Sequence, residues 1–176
     1  SACDTVPARQ NACLVGTWEV VGAEDNFRNV PVIWMMQMMA LANGGAIEDI
    51  RVLEETYSFD RNGTFATNRP MRIEGRWNDG SQDVNAELDV RENSDTGRWG
   101  ATGRQLTMCV ENNAWTATLT ATTAEYGTQS EDMSSDEPVL DEPPVTARYT
   151  CDGDELRISA SPHPLTGGNT IVLRRR

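Results

Sequence analysis

The chain has 176 residues, of which 38% are hydrophobic, and its formal net charge at pH 7 is -12. A chain of this length is expected to fold as one domain with a true hydrophobic core, and its anionic surplus excludes a nucleic-acid groove, which needs clustered cations. All 15 basic residues are arginines, so no lysine is available for a Schiff base or for a nucleotide-binding phosphate loop.

The N-terminal leader, residues 1–13, precedes the first strand pattern and holds two of the four cysteines. The cysteines form no CxxC pair, and an even, widely spaced set predicts two disulfides in an oxidising compartment, hence a secreted, periplasmic or extracellular protein. Sequence leaves the pairing open, and we favour Cys13–Cys109 with Cys3–Cys151. Ser-Ala-Cys resembles the end of a bacterial lipobox, which makes Cys3 a candidate lipid anchor of an outer-membrane lipoprotein but leaves an odd cysteine.

Residues 15–21 alternate in polarity and predict the first strand. Asn29-Val30-Pro31 follows as a helix start, with Asn as the cap and Pro in the first turn. We predict a short Met-rich helix over residues 31–45, which Asn43-Gly44-Gly45 ends. The apolar run is too short to cross a bilayer, so no transmembrane segment is predicted.

The rest of the chain is dominated by short segments in which apolar and polar residues alternate, as in half-buried strands. Asp60-Arg61-Asn62-Gly63 and Asp152-Gly153-Asp154 are typical hairpin turns. The apolar positions of these segments are Leu53, Tyr57, Phe59, Phe65, Met71, Ile73, Trp77, Ala86, Leu88, Val90, Leu106, Met108, Val110, Trp115, Ala117, Leu119, Val145, Ala147, Tyr149, Leu156, Ile158, Ile171 and Leu173.

The stretch from Glu125 to Glu142 holds seven acids and no base, and it predicts a long acidic loop over residues 125–143. Its carboxylates offer Ca²⁺ ligands in principle, but their spacing fits no known loop geometry. The one histidine, His163, lies between two prolines without a nucleophile motif. We therefore predict no metal site, no cofactor and no catalytic role for His163.

About eight to ten short strands with one helical piece predict an all-β protein, with residues 1–176 forming a single domain. One buried face per strand favours an antiparallel up-and-down β-barrel, because closure removes the unpaired edges.

Cys13-Leu14-Val15-Gly16-Thr17-Trp18 resembles the first strand of calycin barrels, with their Gly-x-Trp motif. The hairpin at residues 57–65, Gly97-Arg98-Trp99 before the strand at residues 105–108, and the closing hairpin at 149–156 are similar to later elements of bacterial lipocalin-like domains. The resemblance implies that Trp18 closes one barrel end by stacking on an arginine of the last strand. Arg174 is the expected partner, with Arg176 next.

The resemblance and the apolar faces predict a secreted carrier of an apolar small molecule, of the lipid, fatty-acid or isoprenoid class. The Met-rich helix would then be a lid over the barrel mouth, and core packing is the alternative. The expected ligand-binding residues are Trp34, Met35, Met38, Met39, Tyr57, Phe59, Phe65, Trp77, Met108, Trp115 and Tyr149.

Two other functions fit the sequence. The leader favours an interaction module, such as a protease inhibitor that inserts its N-terminal segment. A lipocalin-like cyclase or isomerase would need a buried carboxylate with a raised pKa, and Glu55 is the one candidate because it shares parity with Tyr57 and Phe59. We lean against an enzyme, and the sequence makes no prediction of the oligomeric state.

Overall fold

A computed structural model describes residues 1–24, 44–160 and 170–176, and within them the chain forms one 3-10 helix and eleven strands. The predicted helix at residues 31–45 lies outside the described residues except for its last two glycines. The short 3-10 helix is Ala2–Thr5, and the strands are β1 (Gly16–Glu24), β2 (Ala46–Val52), β3 (Thr56–Phe59), β4 (Thr64–Asn68), β5 (Met71–Asn78), β6 (Asp83–Thr102), β7 (Gln105–Thr123), β8 (Gly127–Pro138), β9 (Val145–Asp152), β10 (Glu155–Ala160) and β11 (Thr170–Arg175).

Eight of these strands close into an antiparallel barrel, which confirms the predicted fold class. Around the barrel the order is β1, β3, β4, β6, β7, β9, β10 and β11, and β11 pairs back to β1. The strands alternate as the sequence predicts, with Tyr57 and Phe59 buried and the intervening Ser58 only half-buried. Closure gives each of these eight strands a neighbouring strand on both sides over at least part of its length.

The remaining strands, β2, β5 and β8, extend the same sheet beyond the barrel, and we name this extension the arm. Strands β6 and β7 have 20 and 19 residues, far longer than the usual strand. Each is a strand of the barrel over part of its length and continues beyond the barrel over the rest. In the arm, the first half of β6 pairs with β5, which pairs with β2, and the second half of β7 pairs with β8. Bulges between Val90 and Glu92 and between Thr96 and Gly97 interrupt the pairing of β6 with β7 where the barrel passes into the arm.

The prediction of an acidic loop over residues 125–143 is wrong, because residues 127–138 form strand β8 along β7. Most of its side chains are exposed on both faces, and only Met133 and Ser135 are half-buried. An edge strand held by backbone hydrogen bonds and cross-strand hydroxyl pairs carries no apolar alternation for a sequence pattern to detect. One such pair joins the Thr120 and Ser130 hydroxyls at 3.0 Å.

Two separate hydrophobic clusters correspond to the barrel and the arm. The barrel cluster contains the largest buried side chains, among them Trp18, Trp99 and Phe59. The arm cluster is smaller and is built on Met71, Ile73, Leu88, Val90 and Ala117.

The leader is attached to the barrel by both disulfides, and the pairing that we favoured is wrong. Cys3 bonds to Cys109 and Cys13 bonds to Cys151, over sequence separations of 106 and 138 residues. Cysteine pairing depends on which strands are neighbours in space, which local patterns do not contain. The Cys3 sulfur is in a disulfide, so the structure gives no support to a lipid anchor at this residue.

Close approach of the leader to the barrel requires a glycine at position 100. A Cβ atom on Gly100 would lie 1.9 Å from the carbonyl oxygen of Pro7. The next residue, Ala101, donates its N–H to the Arg9 carbonyl at 2.7 Å. The leader therefore lies flat against β6 between its two disulfides.

Candidate functional site

One end of the barrel is closed by Trp18, which is fully buried. Its indole Nε1–H donates to the Leu14 carbonyl at 2.8 Å. The guanidinium carbon of Arg175 lies 4.2 Å from the centre of the indole ring, and the same group donates to the Val15 and Cys13 carbonyls at 2.9 Å each. The predicted arginine contact thus exists, with its donors satisfied by backbone carbonyls.

The arginine over Trp18 is Arg175, so the expectation of Arg174, or Arg176 after it, is wrong. Trp18 pairs with Arg175 across β1 and β11, and side chains directly opposite each other lie on the same face. Arg174 pairs with Glu19 and is exposed on the outer face. A register error of one residue moves a side chain to the other face of the sheet.

Polar side chains lie on the inner face next to Trp18 and beyond it, since Tyr57 stands opposite Trp18 across β1 and β3 and Glu55 lies beside Val20. We name Glu55, Tyr57, Arg69, Asp95 and Asn113 the polar cluster. Glu55 and Arg69 form an ion pair with only 17% and 21% of their side-chain surfaces exposed. The Tyr57 hydroxyl donates to the Glu55 carboxylate at 3.3 Å, and the Asn113 amide donates to the Asp95 carboxylate at 2.7 Å. The cluster joins the ends of β3 and β4 to the point where β6 and β7 pass into the arm.

Arg69 carries the positive charge of this cluster. Burial by itself lowers the pKa of its guanidinium, but the hydrogen bond and negative charge of Glu55 outweigh that effect, aided by Tyr57 and Asp95. The net result is a pKa raised above that of an ordinary guanidinium, so Arg69 keeps its charge at any physiological pH. With two carboxylates beside one guanidinium, the cluster has a formal charge of about -1.

The residues predicted to bind a ligand are not all brought together. Tyr57, Phe59, Phe65 and Tyr149 belong to the barrel cluster, and Met108 packs against it. Trp115 packs against the arm cluster, and Trp77 lies on β5 of the arm. The other four, Trp34, Met35, Met38 and Met39, lie outside the described residues, as does His163.

Several aromatic side chains pack together in the barrel cluster. Phe59 packs edge-on against Trp99 with ring centres 5.2 Å apart, and the Trp99 indole donates to the Asp60 carbonyl at 2.9 Å. Trp99 belongs to the Gly97-Arg98-Trp99 motif, which does not by itself identify it as a core residue. Its parity with Gly97 and Ala101, both buried, is the signal that identifies it.

Glu55, the weak catalytic candidate, lies on the inner side as its parity with Tyr57 indicates. Its carboxylate is engaged by Arg69 and Tyr57. The described part of the chain contains no group of three or more His, Cys, Asp or Glu side chains arranged to hold a metal ion. No helix within the described ranges combines the length and hydropathy needed to cross a membrane.

We expect Arg69→Met to lower the free energy of unfolding by about 1–3 kcal/mol, because it leaves Glu55 half-buried without its cation. Glu55→Gln should cost less, since an acceptor oxygen stays beside Arg69 and Asp95 still faces it. Urea denaturation followed by circular dichroism measures both. The control is Arg51→Met, which breaks the exposed pair with Asp49 and should cost less than about 1 kcal/mol. Equal losses for Arg69→Met and Arg51→Met would contradict a structural role for the buried pair.

Comparison with known proteins gives no match to this chain among family models, curated proteins or solved structures.

Proposed function

We propose that the protein binds an apolar small molecule inside the barrel, in the manner of a lipocalin-like carrier. An eight-stranded barrel has room for one small ligand at most. The observation that carries the proposal is the difference between the two parts of the inner face. The part around Trp18 is covered by Arg175. The part that holds the polar cluster bears half-buried charged groups, such as Glu55 and Arg69, where a purely structural core would be apolar.

The inner wall offers apolar surface next to the polar cluster. Val20, Met108 and Val110 share parity with core residues of β1 and β7, yet they are only partly buried. Covering such side chains with an apolar ligand contributes about 25 cal/mol per Å². Methionine adapts its shape to an irregular partner, which suits Met108 to this role.

The charge of the polar cluster selects among ligand classes. A fatty-acid carboxylate would meet Glu55 and Asp95, and Arg69 is already paired with Glu55. A hydroxyl or carbonyl head can hydrogen-bond to the cluster without that repulsion. We therefore favour a neutral isoprenoid or other lipid alcohol over a fatty acid.

Tryptophan fluorescence with farnesol and with palmitate as probes tests this proposal. We expect farnesol to change the emission saturably and palmitate to bind more weakly. Val20→Phe fills the inner wall and should weaken farnesol binding by about tenfold or more, equivalent to about 1.4 kcal/mol.

The control is the neighbouring Val21→Phe, at a position that is 50% exposed, and it should bind as the wild type does. Thermal melts verify that both variants fold. If the two variants bound farnesol equally well and saturably, the ligand would lie outside the barrel interior, contrary to the proposal. No response of the wild type to farnesol or palmitate would remove the carrier proposal.

Two disulfides form best in an oxidising compartment, so we place the proposed carrier in the periplasm or outside the cell. The protease-inhibitor alternative needs a leader free to extend into a partner. Because the leader is fastened at Cys3 and Cys13 and packs on Gly100, we do not carry that alternative further.

A further inference from the structure

A second site lies on the outer wall of the barrel, independent of the carrier proposal. We propose that it binds a small phosphorylated or sulfated molecule. The site is a groove of about 510 Å³ over strands β9 and β10. Its lining consists of arginines and hydroxyl-bearing residues: Arg104, Arg148, Arg157, Tyr149, Thr150, Ser159 and Thr170.

The strand register explains why these side chains form a groove. On β9, Arg148 and Thr150 are exposed, whereas the alternate Ala147 and Tyr149 are buried, so the first pair faces outward. Arg148 stands opposite Ser159, and Thr150 stands opposite Arg157. Each long arginine side chain is therefore paired with a short hydroxyl side chain on the neighbouring strand. The hydroxyl groups then line the space between the arginines.

The hydroxyls and guanidinium groups suit a tetrahedral oxyanion. Ser159 and Thr170 are hydrogen-bonded to each other at 2.9 Å, and each hydroxyl can still offer or accept a bond to a ligand. Guanidinium groups bind phosphate and sulfate through two parallel N–H donors. The volume exceeds that of a bare anion and leaves space for an attached sugar-sized group.

Within the described part of the chain, the groove contains two arginines without an ion pair. Elsewhere in the chain, Arg51 and Arg91 of the arm each pair with a carboxylate. Arg157 also pairs with Glu155, at 2.8 Å. By contrast, neither Arg104 nor Arg148 forms an ion pair with any residue that the structure describes. A bound oxyanion would give these two guanidinium groups a partner of opposite charge.

Isothermal titration calorimetry at low ionic strength tests the site with inorganic phosphate, sulfate and glucose 6-phosphate. We expect saturable binding that weakens as salt is added. Arg104→Gln and Arg148→Gln should each weaken it by about tenfold, since each removes a charge-assisted contact. Both positions are exposed, so the fold should be retained, and thermal melts verify this. Tighter binding of the ester would identify an esterified ligand, whereas binding of the inorganic ions alone would identify the free anion.

The matched control is Arg61→Gln, which removes an exposed arginine from the turn between β3 and β4, outside the groove. It should leave the affinity unchanged. An equal loss in Arg61→Gln and Arg148→Gln would show a diffuse charge effect and overturn the proposal. The absence of wild-type binding to phosphate, sulfate and glucose 6-phosphate would also overturn it.

Discussion

Replacing both Cys13 and Cys151 by serine is expected to lower the free energy of unfolding by about 2–5 kcal/mol. The bond joins residues separated by 138 positions, so its loss frees a very long loop in the unfolded chain. In the chain-entropy model, loops of this length approach the upper end of that range. Urea denaturation of the double variant beside the wild type, both without reductant, measures the effect.

The matched control is Cys3→Ser with Cys109→Ser, which opens a loop of similar separation, 106 residues. This bond fastens the leader, and the leader can detach while the barrel stays closed. We expect a smaller loss of stability together with faster proteolysis within residues 1–12. If both double variants lost equal stability and the leader stayed protected, the leader would be an integral part of the barrel's folding unit.

Trp18→Ala is expected to cost about 3–5 kcal/mol, as large-to-small changes of buried aromatic residues do. The change empties the closed end of the barrel. It also leaves the buried Leu14 carbonyl without its indole donor and removes the ring beneath Arg175. Trp18→Phe keeps much of the packing but lacks the N–H donor, so we expect an intermediate loss.

Trp77→Ala is the control for Trp18→Ala, since Trp77 is a half-buried indole on β5 of the arm. It should cost less than half as much. Circular dichroism is the proper probe, because both variants lose a tryptophan and the fluorescence signal changes for that reason alone. Similar losses at the two positions would mean that Trp18 does not close the barrel as its contacts indicate.

Some features of the polar cluster could be predicted from sequence and others could not. The inward position of Glu55 follows from its parity with Tyr57 and Phe59. Its partners Arg69, Asp95 and Asn113 come from other strands, and their meeting depends on how β4, β6 and β7 are arranged. Nothing local to residues 69, 95 or 113 distinguishes them from other polar positions in strands.

The arm, too, could be predicted only in part from the sequence. The patterns at Ile73, Leu88 and Leu119 predict strands, and strands are found there. Polar residues interrupt the apolar alternation at 91–96 and at 111–113, so those patterns do not show that β6 and β7 each run on through both the barrel and the arm. Only the partner strands, β4 and β9 on one side and β5 and β8 on the other, distinguish the two halves.

The all-β barrel, the strand that carries Trp18 and the presence of two disulfides could be predicted from the sequence, since alternation and cysteine number are local or compositional properties. The pairing of the cysteines, the contact of Arg175 with Trp18 and the edge strand at residues 127–138 emerge only from the folded chain. Each of these depends on strand register and neighbours. In a barrel those are fixed by backbone pairing between segments as far apart in the chain as Trp18 and Arg175.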